Sequence, residues 1–248
     1  MWQISALTNG ITSVVNTNDN NKCAMWWVPS NLFNWTRTRW KIIWSRKVSL
    51  LRHRRYTNWR GALIIGIDYS MTSPAVCVGQ TPFSYDNCKF MFITKNKKLA
   101  VNHSPWIVGL LLYEYNDNLE RFTHLADQTV EWILSQAPWH TIPPKLAIEG
   151  YAFGAKGQVF NIGENTGILK YKLAEKVSNI INVIAPSAIK KFATGKGNAN
   201  KLLMYEAFVE ETGDDLAELF EFDPYNGQSP VSDIVDSYYI AKYSDTNT

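Results

Sequence analysis

Residues 64–76 read I-I-G-I-D-Y-S-M-T-S-P-A-V, an apolar run that is interrupted at Asp68. A continuous run of this kind, here residues 62–67, is typical of a central strand that is covered on both faces. Burying an unpaired carboxylate is costly, so an acid at the end of such a strand needs a compensating partner. The stretch therefore predicts a buried strand with a polar site at its carboxyl end.

The sequence beyond this strand alternates between strand and helix patterns. Four more strands are predicted at residues 75–79, 90–94, 145–148 and 180–184, and helices at residues 116–136 and about 165–177. Residues 97–115 are longer than a minimal connection, so we interpret them as an insertion. The order β-β-β-α-β-α-β followed by helices predicts a mixed α/β domain.

Length and composition exclude several classes of protein. The chain has 248 residues, 46% of them hydrophobic, which suffices for a real core. It has no apolar run near the roughly 20 residues that span a bilayer, and no signal-peptide pattern at its start. Its three cysteines, Cys23, Cys77 and Cys88, lack metal-knuckle spacing. We therefore expect a cytoplasmic protein without a membrane partner.

The first 60 residues differ in composition from the remainder. They hold ten Lys or Arg against one acid, Asp19, a formal charge of +9 that leaves −6 for the rest, and seven of the ten tryptophans. This shift predicts a boundary between a basic, Trp-rich extension at residues 1–60 and a domain at residues 61–248. The extension could grip nucleic acid through cations and indoles; the alternatives are a partly disordered arm or an appended stretch.

Three further acids stand at positions comparable to Asp68. Glu149 ends the apolar strand in K-L-A-I-E-G, and Asp233 and Asp236 lie three residues apart in S-P-V-S-D-I-V-D-S-Y-Y. Pro230 can open a helix there, which places both aspartates on neighbouring faces. Ligand sites in open α/β sheets gather beyond strand ends, so three elements could present four carboxylates to one point.

Clustered carboxylates repel one another unless a cation lies between them. Mg²⁺ and Mn²⁺ prefer oxygen ligands, and two such ions roughly 4 Å apart can stabilise both oxygens of a phosphodiester displacement. Structural roles are the alternative: Asp68 could cap a turn, Glu149 could pair with a lysine, and Asp233 could serve the first helical turn. The three acidic stretches together favour a metal site at Asp68, Glu149, Asp233 and Asp236.

These motifs resemble those of the RuvC-like Holliday junction resolvases of the ribonuclease H-like superfamily, in particular a phage-type branch. The resemblance covers about residues 64–243 and rests on I-G-I-D-Y-S, A-I-E-G and D-I-V-D in that order. It implies a mixed five-stranded sheet, a homodimer, two Mg²⁺ ions for which Mn²⁺ can substitute, and no small-molecule cofactor. It also implies that Asp68, Glu149 and Asp236 are catalytic metal ligands, with Asp233 a ligand or a water-orienting base.

The resemblance also points to residues that would contact DNA. Lys190 and Lys201 are spaced like family lysines that face the scissile phosphate. Lys191 and Lys196 lie nearby, the latter in a Gly-Lys-Gly loop that is a flexible, solvated loop on the alternative view. After Glu149, where the family places a wedge aromatic, the chain reads G-Y-A-F-G-A-K-G-Q. Its candidates for DNA contact are Tyr151, Phe153 and Lys156, with core packing the alternative for the two aromatics.

The sequence is thus interpreted as a Mg²⁺-dependent endodeoxyribonuclease that resolves four-way (Holliday) or branched DNA junctions, leaving 5′-phosphate and 3′-hydroxyl ends. If it is phage-encoded, it would act in the host cytoplasm. Two alternatives remain at this stage. One is a related nuclease that acts on flaps, replication forks or RNA–DNA hybrids, and the other is a junction-binding protein that does not cut.

Overall fold

The computed structural model describes residues 61–136, 143–150, 159–223 and 228–247, and, within residues 1–60, the backbone of three strands. The chain divides into two compact units, Met1–Arg52 and His53–Thr248. In the first unit, β1 (Trp2–Leu7), β2 (Ile11–Asn16) and β3 (Trp26–Pro29) form an antiparallel sheet in that order. The proposed roles of residues 1–60 depend on side chains outside the described residues.

The described part of the second unit is built on one mixed sheet of seven strands. These are β4 (Leu63–Asp68), β5 (Ala75–Gln80), β6 (Lys89–Thr94), β7 (Asn102–Ser104), β8 (Ile107–Leu111), β9 (Lys145–Glu149) and β10 (Ile181–Ile184). Their order across the sheet is β10-β9-β4-β5-β6-β8-β7. Strands β4, β5 and β6 form an antiparallel meander, whereas β9 and β10 run parallel to β4. This is a mixed α/β fold.

The described part of this unit also contains six α-helices. They are α1 (Asn118–Ser135), α2 (Val159–Lys176), α3 (Pro186–Thr194), α4 (Lys201–Thr212), α5 (Leu216–Phe220) and α6 (Val231–Asn247). None of the helices in the described ranges is both long and apolar enough to cross a membrane.

The helices cover the two faces of the sheet, which gives two hydrophobic cores. Strand side chains alternate between faces, and in β4 Ile64 packs on the side of α6 while Ile65 and Ile67 pack on the side of α1 and α2. By the same alternation, Asp68 projects from the face that α6 covers. The carboxyl end of the central strand therefore meets the last helix.

The five predicted strands form the continuous part β10-β9-β4-β5-β6, which confirms the predicted fold class. The structure adds two strands that the sequence pattern did not indicate. The interpreted insertion at residues 97–115 contains β7 and β8, and β8 extends the sheet by pairing parallel to β6. The inserted segment is therefore part of the sheet rather than a surface loop.

Candidate active site

Asp68 is the last residue of β4 and lies at the carboxyl end of the sheet's central strand. Burial raises the pKa of its carboxyl well above the usual range, and three other carboxylates raise it further: Asp236, Asp233 and Glu149. Lys201 acts in the opposite direction. The neighbouring acids therefore add repulsion to the cost of burial, and the charge of Lys201 opposes it.

Glu149 occupies the matching position on the neighbouring strand. β9 runs parallel to β4 with Ile67 opposite Ile148, so Asp68 and Glu149 are at the next register position. Strands in a sheet are about 4.8 Å apart, which brings the two ends side by side. Burial raises the pKa of Glu149, and the charge of Lys190 lowers it.

Helix α6 brings Asp233 and Asp236 to the carboxyl ends of β4 and β9, because this helix lies unusually close to β4. A Cβ at Gly66 would be 2.3 Å from the Ala241 nitrogen and 2.4 Å from the Ser237 carbonyl oxygen, so only glycine allows this approach. Asp236 directly precedes Ser237. Its pKa is raised to about 7 by burial first, and then by the charges of Glu149 and Asp233.

Asp233 differs from the other three acids because hydroxyl groups hold both of its oxygens. Oδ2 accepts from Ser73 Oγ at 2.9 Å and from Ser229 Oγ, and Oδ1 accepts from Ser232 Oγ at 3.0 Å. Ser232 in turn accepts from Lys201 Nζ at 3.1 Å. The carboxylate of Asp233 is therefore fixed in orientation and linked to a cation through one hydroxyl.

Two of the predicted lysines lie close enough to influence the acids. Lys190, in α3, lowers the pKa values of Glu149 and Asp236, whereas Lys201, the first residue of α4, lowers those of Asp68 and Asp236. Asn200 caps α4, since its Oδ1 accepts from Leu203 N at 2.9 Å, and this fixes where Lys201 emerges. The site thus combines four carboxylates with two cations.

Two of the remaining predicted contacts are exposed to solvent. Lys191 is exposed on α3, and Lys196 is exposed in the loop after the left-handed Gly195, whose φ is 77°. Tyr151, Phe153 and Lys156 lie outside the described residues. The three serines around Asp233 were missed by the sequence reasoning. A possible signal was the serine that accompanies proline in T-S-P and in S-P-V-S-D.

The donor set suits a divalent cation. Carboxylate oxygens are what Mg²⁺ and Mn²⁺ prefer. A cation here would offset the neighbouring carboxylate charges that, after burial, raise the pKa values of Asp68 and Asp236. Among the described residues, no three His, Cys, Asp or Glu side chains stand close enough to hold one ion.

Comparison with known proteins gives likenesses only among solved structures. No family model matches the chain, and no curated protein matches it. Two similar structures are from Thermus thermophilus. One is RuvC, with 15% sequence identity and a TM-score of 0.45, and the other is RuvC in complex with a Holliday junction substrate, with 14% sequence identity and a TM-score of 0.47. They cover 72% and 73% of this chain and 90% of theirs.

A third similar structure is the yeast mitochondrial Holliday junction resolvase Ydc2, with 15% identity and a TM-score of 0.41. The match covers 79% of this chain and 84% of that one. At such identities the likeness concerns the fold alone, and the chemistry of the site depends on its own residues.

Proposed function

We propose that this chain is a divalent-metal-dependent, structure-specific endodeoxyribonuclease that resolves four-way and other branched DNA junctions. The convergence of Asp68, Glu149, Asp233 and Asp236 at one edge of the sheet carries this proposal. Partly buried acids that raise one another's pKa values destabilise a protein, and a bound cation would offset that repulsion.

Asp68, Glu149 and Asp236 would hold the metal, two Mg²⁺ ions or Mn²⁺ in their place. When bound, such ions lower the pKa of water and stabilise the charge that develops on a phosphodiester. Asp233 is the less available ligand, because three hydroxyls already engage its oxygens. We therefore assign to Asp233 the orientation of the attacking water by hydrogen bonding.

The two lysines supply positive charge that the metal site alone does not. Lys190 and Lys201 come from different helices, so they can approach a phosphate from two directions. An ammonium group is a compact charge that pairs with phosphate oxygens, and its value is greatest where the phosphate becomes more negative. Lys201 also holds Ser232, so it links phosphate binding to the orientation of Asp233.

The metal proposal predicts an unusual dependence of stability on pH. The pKa of Asp236 is about 7 in the folded protein and 3.8 in an ordinary carboxyl, so the folded state keeps a proton that the unfolded state has lost between these values. In EDTA, the free energy of unfolding should therefore fall as pH rises from about 4 through 7. Chemical denaturation at pH 5 and pH 8 measures this fall.

Mg²⁺ should reverse the loss at pH 8 by binding the ionised acids, and it should have little effect at pH 5, where Asp236 retains its proton. The variant Asp236→Asn is the control, because it removes the titrating group and a ligand together. Equal stability of the wild type at pH 8 with Mg²⁺ and with EDTA would contradict the metal site.

Ser73→Ala should slow cutting about tenfold and should also lower the free energy of unfolding. The variant removes the 2.9 Å bond to Asp233 Oδ2, and a hydrogen bond to a charged group contributes roughly 1.5–3 kcal/mol. Ser73→Thr keeps a hydroxyl and should restore most of the rate. Single-turnover cutting measures both, and a Ser73→Ala protein that cuts at the wild-type rate would show that Asp233 needs no such support.

The choice of substrate is tested by comparing cutting rates in Mg²⁺ on five labelled nucleic acids of equal arm sequence. These are a four-way junction, a flap, a replication fork, an RNA–DNA hybrid and a plain duplex. We expect the junction to be cut fastest, by paired symmetric nicks from a homodimer. Preference for the flap, fork or hybrid would assign the site to a related nuclease instead.

A further inference from the structure

A group of lysines lies at the same edge of the sheet as the candidate active site. β4 and β6 are both antiparallel to β5, so they end at the same edge. Lys95, Lys97 and Lys98, here named the basic edge, follow Thr94, the last residue of β6. From residue 87 to residue 113 the sequence has four lysines and no acidic residue. The basic edge is thus a local positive patch in an acidic domain.

Hydrogen bonds connect the basic edge to the site. Ile93 N donates to the Pro74 carbonyl at 2.9 Å, and the adjacent Ser73 donates to Asp233. Ala75 in β5 is opposite Asp68 in β4 and opposite Phe92 in β6, so Phe92 lies level with Asp68 and two strands away. Lys95, the first residue of the basic edge, follows Phe92 by three residues. With roughly 4.8 Å between strands and 3.3 Å per residue, the Cα of Lys95 lies about 14 Å from the Cα of Asp68.

The turn that carries these lysines has a fixed conformation. Thr94 Oγ1 accepts from Asn96 N at 3.1 Å, Asn96 Oδ1 accepts from Lys98 N at 3.0 Å, and the Asn96 carbonyl accepts from Leu99 N at 3.0 Å. All three lysines are exposed. Because the backbone is already ordered, a ligand that binds them has to order only their side chains.

Lys95 is further held by an aromatic residue of the inserted segment. It donates to the hydroxyl of Tyr115, and this hydrogen bond lowers the pKa of Tyr115. The Arg121 guanidinium lies 5.7 Å from the centre of the same ring. The cation pair around Tyr115 keeps one end of the basic edge in place, while Lys97 and Lys98 extend into solvent.

Acids near this patch are engaged in helix capping. Asp117 Oδ1 accepts from Glu120 N at 2.8 Å, and Glu120 Oε2 accepts from Asn116 N at 2.6 Å and from Asn116 Nδ2 at 2.9 Å. The third acid, Glu114, is exposed. All three follow β8, which pairs with β6 on the side away from β5.

We propose that the basic edge binds the phosphate backbone of a duplex DNA arm that continues beyond the scissile phosphate. This inference rests on the proposed nuclease function. A separation of about 14 Å corresponds to about four base pairs at 3.4 Å per base pair, within one turn of a duplex whose cut phosphate lies at Asp68. Lysines contact phosphates without reading bases, so the basic edge would set the direction of the arm rather than the cleavage sequence.

The test uses full-length Lys97→Gln/Lys98→Gln, which spares the Lys95–Tyr115 contact. Binding to an immobile four-way junction is measured in EDTA between 50 and 200 mM salt. We expect affinity at 150 mM to fall about tenfold, and the slope of log K against log salt to fall by about 1.8, since each lost phosphate contact contributes about 0.9. The matched control is Lys89→Gln/Lys176→Gln, at the opposite edge of the sheet, which should change neither quantity.

Position is tested with junctions that carry one neutral methylphosphonate three to five nucleotides from the cut. Neutralising a contacted phosphate should weaken wild-type binding and leave the double variant unchanged, since the two changes remove the same contact. Equal loss in both proteins, or a double variant that binds like the wild type, would overturn the proposal. If the wild type neither binds nor cuts the junction, the proposed function fails as well, whereas a wild type that cuts isolates the failure to the basic edge.

Discussion

Asp68→Asn should abolish junction cutting, lowering the single-turnover rate by about a thousandfold or more in Mg²⁺. The residue ends the central strand, and three other carboxylates act on it, so it is the member around which the cluster is built. Asparagine keeps the shape but loses the charge that a metal ligand supplies. Cutting of a labelled junction at saturating protein measures the rate without interference from binding.

The same variant should be more stable than the wild type in EDTA at pH 8. Burial and neighbouring acids both disfavour an ionised Asp68, and the neutral amide removes that cost. Asp86→Asn is the matched control, because Asp86 is exposed in the short 3-10 helix Tyr85–Asn87 and should affect neither rate nor stability. A fully active Asp68→Asn protein would remove this residue from the site.

Gly66→Ala should destabilise the domain by about 3 kcal/mol and should also reduce the rate of junction cleavage. The new Cβ would lie 2.3 Å from a backbone nitrogen of α6 and 2.4 Å from a backbone oxygen, and backbone atoms cannot rotate away as side chains can. Relief requires α6 to move from β4, which displaces Asp233 and Asp236. Urea denaturation in EDTA measures the loss.

Gly167→Ala is the control for this substitution. Gly167 lies within α2, and a Cβ there would meet none of the described atoms within 4 Å. Alanine is a better helix former than glycine, so this variant should be unchanged or more stable by up to about 1 kcal/mol. Equal effects of the two substitutions would show that the close contact between β4 and α6 is not what limits position 66.

Much of the fold could be predicted because hydrophobic periodicity is a local signal. The buried run before Asp68 predicts a strand, and the apolar stripe of α1 predicts a helix, each from the residues of one segment. The start of α2 was missed, since it begins at Val159 rather than near Asn165, and its first turns carry exposed apolar residues such as Phe160. The strand β7 consists of the three polar residues N-H-S, and β8 (I-V-G-L-L) is apolar throughout, so neither shows an alternation of polar and apolar residues.

The candidate site was predictable only as far as strand ends and helix starts reveal it. Asp68 and Glu149 end apolar strands, so their convergence follows from parallel pairing in the sheet. The hydroxyls around Asp233 come from positions as distant as Ser73, and a bond across 160 residues leaves no local pattern. The basic edge was likewise invisible, because only the sheet order places the end of β6 beside the end of β4.

One measurement tests the central claim most directly: purified protein incubated with a labelled immobile four-way junction or a matched duplex, in Mg²⁺ or in EDTA. We predict paired symmetric nicks with 5′-phosphate and 3′-hydroxyl ends on the junction in Mg²⁺, and no nicks on the duplex or in EDTA. Tight junction binding without nicks in either Mg²⁺ or Mn²⁺ would contradict the account, because it would leave the four carboxylates without a catalytic role.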